Sequence, residues 1–85
     1  MEESIMYSTE LIRRLPKEPT DPILFVVYNE PMVEDAKFYI RAIHGQDYLE
    51  EHITVVPFDH KIPNYRDYEI YIDPVVYTYK NSWNN

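Results

Sequence analysis

Two apolar runs constrain this chain more than anything else in it. ILFVVY (23–28) and ITVVPF (53–58) are β-branched, aromatic and apolar at nearly every position. ILFVVY is apolar on both faces, which is what a central strand covered on both sides and parallel to its neighbour requires. Between the two runs, Asn29 and Glu30 give way to Pro31, a residue suited to a first helical turn. Val33, Ala36, Ile40 and Ile43 then recur at helical spacing, with Tyr39 beside them. One face of a helix therefore runs to His44, and Gly45 stands ready as its C-terminal cap. A short acidic turn, QDYLEE, leads into ITVVPF. Strand, helix and strand make a βαβ unit, whose crossover is nearly always right-handed.

The flanks are read from the same rules. In residues 4–15 the positions Ile5, Ser8, Leu11, Ile12 and Leu15 form a narrow helical stripe, and Arg13 and Arg14 suit the negative C-terminal pole. Pro16, Pro19 and Pro22 stop that helix and make 16–22 a stiff connector. Beyond ITVVPF a polar loop, DHKIPNYRD, precedes YEIYID (68–73), the most strictly alternating stretch of the chain. Its alternation predicts Tyr68, Ile70 and Ile72 on one face and Glu69, Tyr71 and Asp73 on the other. VVYTYK follows across the Asp73-Pro74 junction. Pro74 cannot donate to a ladder, so it marks a bulge or a turn: the two runs form either an antiparallel hairpin, the expected arrangement, or one long strand broken by a kink. Residues 81–85 are a polar tail carrying Trp83.

The expected fold is a single compact α+β domain over residues 1–85. It has an N-terminal helix, one βαβ unit and a C-terminal β-hairpin, with 23–80 forming a small mixed sheet of about four strands. The predicted core is Leu11, Ile12, the two apolar runs, Val33, Ala36, Ile40, Ile43, Ile70 and Ile72. The order β-α-β-loop-β-β resembles the thioredoxin and glutaredoxin core, and VYNEPMVEDAKFYI has the rhythm of that family's first strand and active-site helix. The family's CxxC would fall near Met32 to Asp35, where this chain has no cysteine, and no proline immediately precedes YEIYID. The resemblance is one of topology.

Charge is the strongest compositional signal: fifteen acids against eight bases, a formal net charge of −7. Such a chain is repelled by phosphate backbones and steered towards basic surfaces. Without cysteine there is no disulfide and no thiol chemistry, which suits the cytoplasm. MEESIMYSTE has no apolar segment of the signal-peptide kind, and ILFVVY is too short to span a bilayer.

Catalytic patterns find no support. A six-residue strand spans about 20 Å, so His52 and His60, at opposite ends of ITVVPF, cannot share one metal ion. Asp59 and His60 lack a nucleophile, since the serines (Ser4, Ser8, Ser82) all lie near the termini. Glu69 and Asp73 would stand about 13 Å apart along a strand, too far to hold one ion. No phosphate loop, dinucleotide fingerprint or zinc-protease motif occurs. The expectation is a protein that is not an enzyme and takes no cofactor or metal.

The acids are informative by placement. Glu30, Glu34 and Asp35 sit in the first turns of a helix, where the dipole favours them. Carboxylates around a tyrosine on a strand face have no such local reason. They serve either to keep a sheet edge from pairing or to meet a basic partner, with tyrosine as a rigid anchor. The predicted partner-binding residues are Asp47, Glu50, Glu51, Glu69, Tyr71, Asp73 and Trp83. The expected function is an acidic protein-binding module, in its sharpest form an inhibitor that occupies a partner's nucleic-acid-binding surface. Composition fits a viral or mobile-element accessory protein. The alternatives are an assembly subunit or homodimer joined through a sheet edge, and a small enzyme or cysteine-free thioredoxin-like adaptor.

Overall fold

The computed structural model describes residues 2–59 and 64–76, with the side chains of 2–7 and 65 left out. Helix α1 spans Glu2–Arg13, strand β1 Ile23–Val27 and helix α2 Glu30–His44. A short helix α3, Gln46–Glu51, leads into β2, Ile53–Pro57. A single 3-10 turn at Tyr65–Asp67 precedes β3, Glu69–Ile72. The sheet order is β2-β1-β3, and both pairings are parallel. Among the described residues, no helix is long and apolar enough to cross a membrane.

Local chemistry explains the boundaries of α2. Asn29 is extended at the N-cap, and its side-chain oxygen accepts the Met32 N–H at 3.2 Å. Pro31 follows in the first turn, where no intrahelical donor is needed. At the other end Gly45 has φ +101° and donates its N–H to the Arg41 carbonyl at 2.9 Å. The same residue is the N-cap of α3, so one glycine turns the chain between two helices. Nothing lies within 4 Å of where its Cβ would stand, so the demand for glycine is one of backbone angle alone.

The central strand is covered on both faces, as its composition requires. Ile23 and Phe25 are fully buried, Val27 is nearly so, and Leu24 on the opposite face is 4% exposed. Ile23, Phe25 and Val27 face the helices and pack with Ile12, Leu15, Val33, Ala36, Ile40, Ile53 and Val55 in one cluster. Each of these side chains larger than alanine contributes about 1.5–3 kcal/mol when removed from water. Tyr48 of α3 completes the cluster.

Three expectations are corrected. First, the sheet has three strands among the described residues and is all parallel, and no C-terminal hairpin is seen there. Val75 and Val76, expected to open a fourth strand, lie buried in a helical turn that starts at Pro74. Asp73 accepts the Val75 N–H at 2.9 Å on its side chain, and Pro74 takes the first helical position. An Asp-Pro helix start outweighs the strand preference of two valines; Tyr77–Lys80 lie outside the described residues. A parallel β3 is possible because residues 58–68 give the chain length to return to the end where the strands begin.

Second, the faces of YEIYID are largely exchanged. Tyr71 is in register with Phe25 and packs against the core, whereas Ile70 is 44% exposed. The core cluster with α1, α2 and α3 lies on the face carrying Ile23, Phe25 and Val27, and register with β1 puts Tyr71 there. Third, Ile43 and Phe58, both expected in the core, are each 37% exposed, and the buried stripe of α2 ends at Ile40.

Candidate functional site

Because the strands are parallel, the segments that lead into them share one end of the sheet. Glu69 opens β3 and Ile53 opens β2, and both are in register with Ile23. At this end Tyr48 of α3 is the pivot. Its hydroxyl donates to the Pro16 carbonyl at 2.6 Å, tying α3 to the connector before β1. Its ring stacks on His44 at 4.5 Å and meets His52 edge-on at 5.3 Å. His44 in turn brings its Nε2 to 2.6 Å from the Ile12 carbonyl, within the last turn of α1. The arrangement joins the C-terminal ends of α1 and α2 to α3.

Glu69 and Tyr71 border this pivot. The Tyr71 hydroxyl donates to Glu69 Oε1 at 2.6 Å. That bond, then burial and the charge of Glu69, push the Tyr71 phenol up to about 12. The Tyr48 phenol is raised as well, first by burial and then by the charge of Glu69. The carboxylate of Glu69 thus acts on both tyrosines, one from β3 and one from α3.

The acids of α3 divide by helical angle. Asp47 and Glu51 are one turn apart on an exposed face beside Tyr48, and Glu51 lies 4.0 Å from the His52 imidazole. Glu50 is tied instead towards α2, accepting from Gln46 Nε2 at 2.8 Å, while Gln46 Oε1 accepts from Arg41 Nε at 2.6 Å. Asp47, Glu51, Glu69 and Tyr71 are therefore brought to one end of the sheet, with Glu50 on its flank.

Asp73 does not belong with them. It is 4% exposed at the far end of β3, with its carboxylate oxygens 2.8 and 2.7 Å from the Ser8 hydroxyl, which donates to them. Its own N–H continues the ladder to the Val26 carbonyl at 2.9 Å. The residue ties α1 to the end of the sheet and starts the next helical turn. Trp83 and His60 lie outside the described residues. Among those described, no group of three His, Asp or Glu side chains is placed to hold a metal ion.

Sequence reasoning missed Tyr48. The signal was present as His44, Tyr48 and His52, each four residues after the last, which keeps three rings on one side across the Gly45 break. No protein family, curated protein or solved structure matches this chain.

Proposed function

We propose that the chain is a non-catalytic protein-binding module whose acidic end, built from Asp47, Glu51, Glu69 and the flanking Glu50, docks on a basic surface of another protein. The observation that carries this reading is the parallel sheet, which sets the α3 acids and Glu69 at one end although they are distant in sequence. Tyr71, held by Glu69, supplies a rigid aromatic contact beside the carboxylates. Exposed carboxylates of this kind pair with Arg or Lys, steer the encounter and repel nucleic acid. In its sharpest form the module occupies a nucleic-acid-binding site, with carboxylates in the place of phosphates.

The test is a pull-down from lysate at low and moderate salt, comparing the native chain with Asp47→Lys/Glu51→Lys/Glu69→Lys. The expected result is a basic nucleic-acid-binding protein retained by the native chain, lost with salt or the variant, and displaced by added duplex DNA. If the variant retains the same proteins, or the native chain retains none, the acidic end faces only water.

A further inference from the structure

The outer edge of β2 carries a second surface, which meets the acidic end only at Glu50. In a parallel ladder, alternate residues direct their backbone groups to opposite sides. Ile23 donates to the His52 carbonyl and Phe58 to the Val27 carbonyl, both at 2.8 Å, so residues 52, 54, 56 and 58 face β1. The N–H and C=O groups of Ile53 and Val55 therefore point out of the sheet, and among the described residues no backbone group pairs with them. The next outward position is Pro57, which has no N–H to give. The previous one, Glu51, is already in α3. Among the described residues the edge is therefore open, and the antiparallel register in which every paired residue both gives an N–H and accepts on its C=O is the one centred on Thr54.

A groove of about 400 Å³ runs beside this edge, walled by Glu34, Lys37 and Arg41 of α2 and by Glu50 of α3. Two acids and two bases give the wall no net charge, although the whole chain carries −7. A wall of balanced charge fits a copy of itself better than it fits a basic partner, since a two-fold contact sets each patch against its own copy. From these observations we infer that β2 pairs antiparallel with β2 of a second copy, joining the two sheets into one of six strands. Ile53 of each chain exchanges hydrogen bonds with Val55 of the other, and Thr54 faces Thr54 across the axis. Strands spaced about 4.8 Å apart then bring the two α2 helices, each over β1 and β2, to about 10 Å, the ordinary helix packing distance. Running antiparallel, they set Glu34 of one copy against Arg41 of the other, twice.

Sedimentation velocity over a concentration series tests this. The mass should rise from 10.3 kDa towards twice that value, and high salt should not dissolve the dimer. Thr54 is exposed, so Thr54→Lys leaves the circular dichroism spectrum unchanged while placing two ammonium groups opposite each other, and it should give a monomer. Glu34→Arg and Arg41→Glu should each weaken association by about tenfold, equivalent to ~1.4 kcal/mol, and the double reversal should restore it. A chain that stays monomeric at every concentration overturns the inference. So does a dimer that survives Thr54→Lys, or a double reversal no better than the single changes.

Discussion

Replacing Asp73 with alanine separates two readings of the same residue. On an exposed strand face the change would be worth no more than about 0.5 kcal/mol either way. In the structure the carboxylate is 4% exposed and accepts from Ser8 and from the Val75 N–H. Loss of the helix cap costs about 0.5–2 kcal/mol. A buried donor left without its acceptor adds about 1–3 kcal/mol. Together these give a loss of roughly 1.5–5 kcal/mol, against about 4–13 kcal/mol for a domain of 85 residues. The melting temperature should fall by roughly 6–40 °C, at about 4–8 °C per kcal/mol for a domain of this size. Urea unfolding followed by circular dichroism measures the change directly, and Asp73→Asn, which keeps one acceptor oxygen, should lose less. A cycle with Ser8→Ala should show a coupling of about 0.5–3 kcal/mol between sites 65 residues apart in sequence. If Asp73→Ala unfolds within 0.5 kcal/mol of the native chain (about the scatter of surface changes), the anchoring role assigned to Asp73 is refuted.

Three further outcomes are expected. Tyr71 ionises near its ordinary value of 10.0 in the unfolded chain and near 12 in the folded one, so in that window the unfolded state holds fewer protons. Its contribution is complete below the lower value and is lost as pH rises through the upper one; Tyr71→Phe should flatten the fall in urea midpoint. Gly45→Ala forces a side chain into φ +101° with open space around it, and equilibrium unfolding should register a loss of about 1–3 kcal/mol from backbone strain alone. Ile70→Ala should change stability far less than Ile40→Ala, which empties a fully buried position and should cost about 2–5 kcal/mol in the same assay.

The legible parts of the fold are those whose cause is local. Asn29, Pro31 and Gly45 mark the ends of α2 by chemistry acting within one or two turns, and the helix ends at His44 as expected. The apolar run at 23–28 names a buried central strand because only a strand covered on both faces needs such composition. Of the candidate site, Asp47, Glu50, Glu51, Glu69 and Tyr71 were singled out as an acidic and aromatic set. Their common placement was not legible, since it depends on β3 running parallel to β1. Tyr48 was passed over because its partners, Pro16 and His44, lie in other elements.

By itself, then, the sequence determined the βαβ unit, the ends of α2 and the central strand, since capping, periodicity and apolar composition act over a few residues; the first helix, expected over 4–15, is Glu2–Arg13, and QDYLEE is a helix rather than a turn. Tertiary structure decided the direction of β3, the face that Tyr71 buries and the role of Asp73. Alternation in YEIYID defines two faces but cannot say which packs on the core cluster; the register that sets Tyr71 beside Phe25 makes that choice. A carboxylate looks the same in sequence whether it meets water or a hydroxyl. Only the fold brings Ser8 to Asp73.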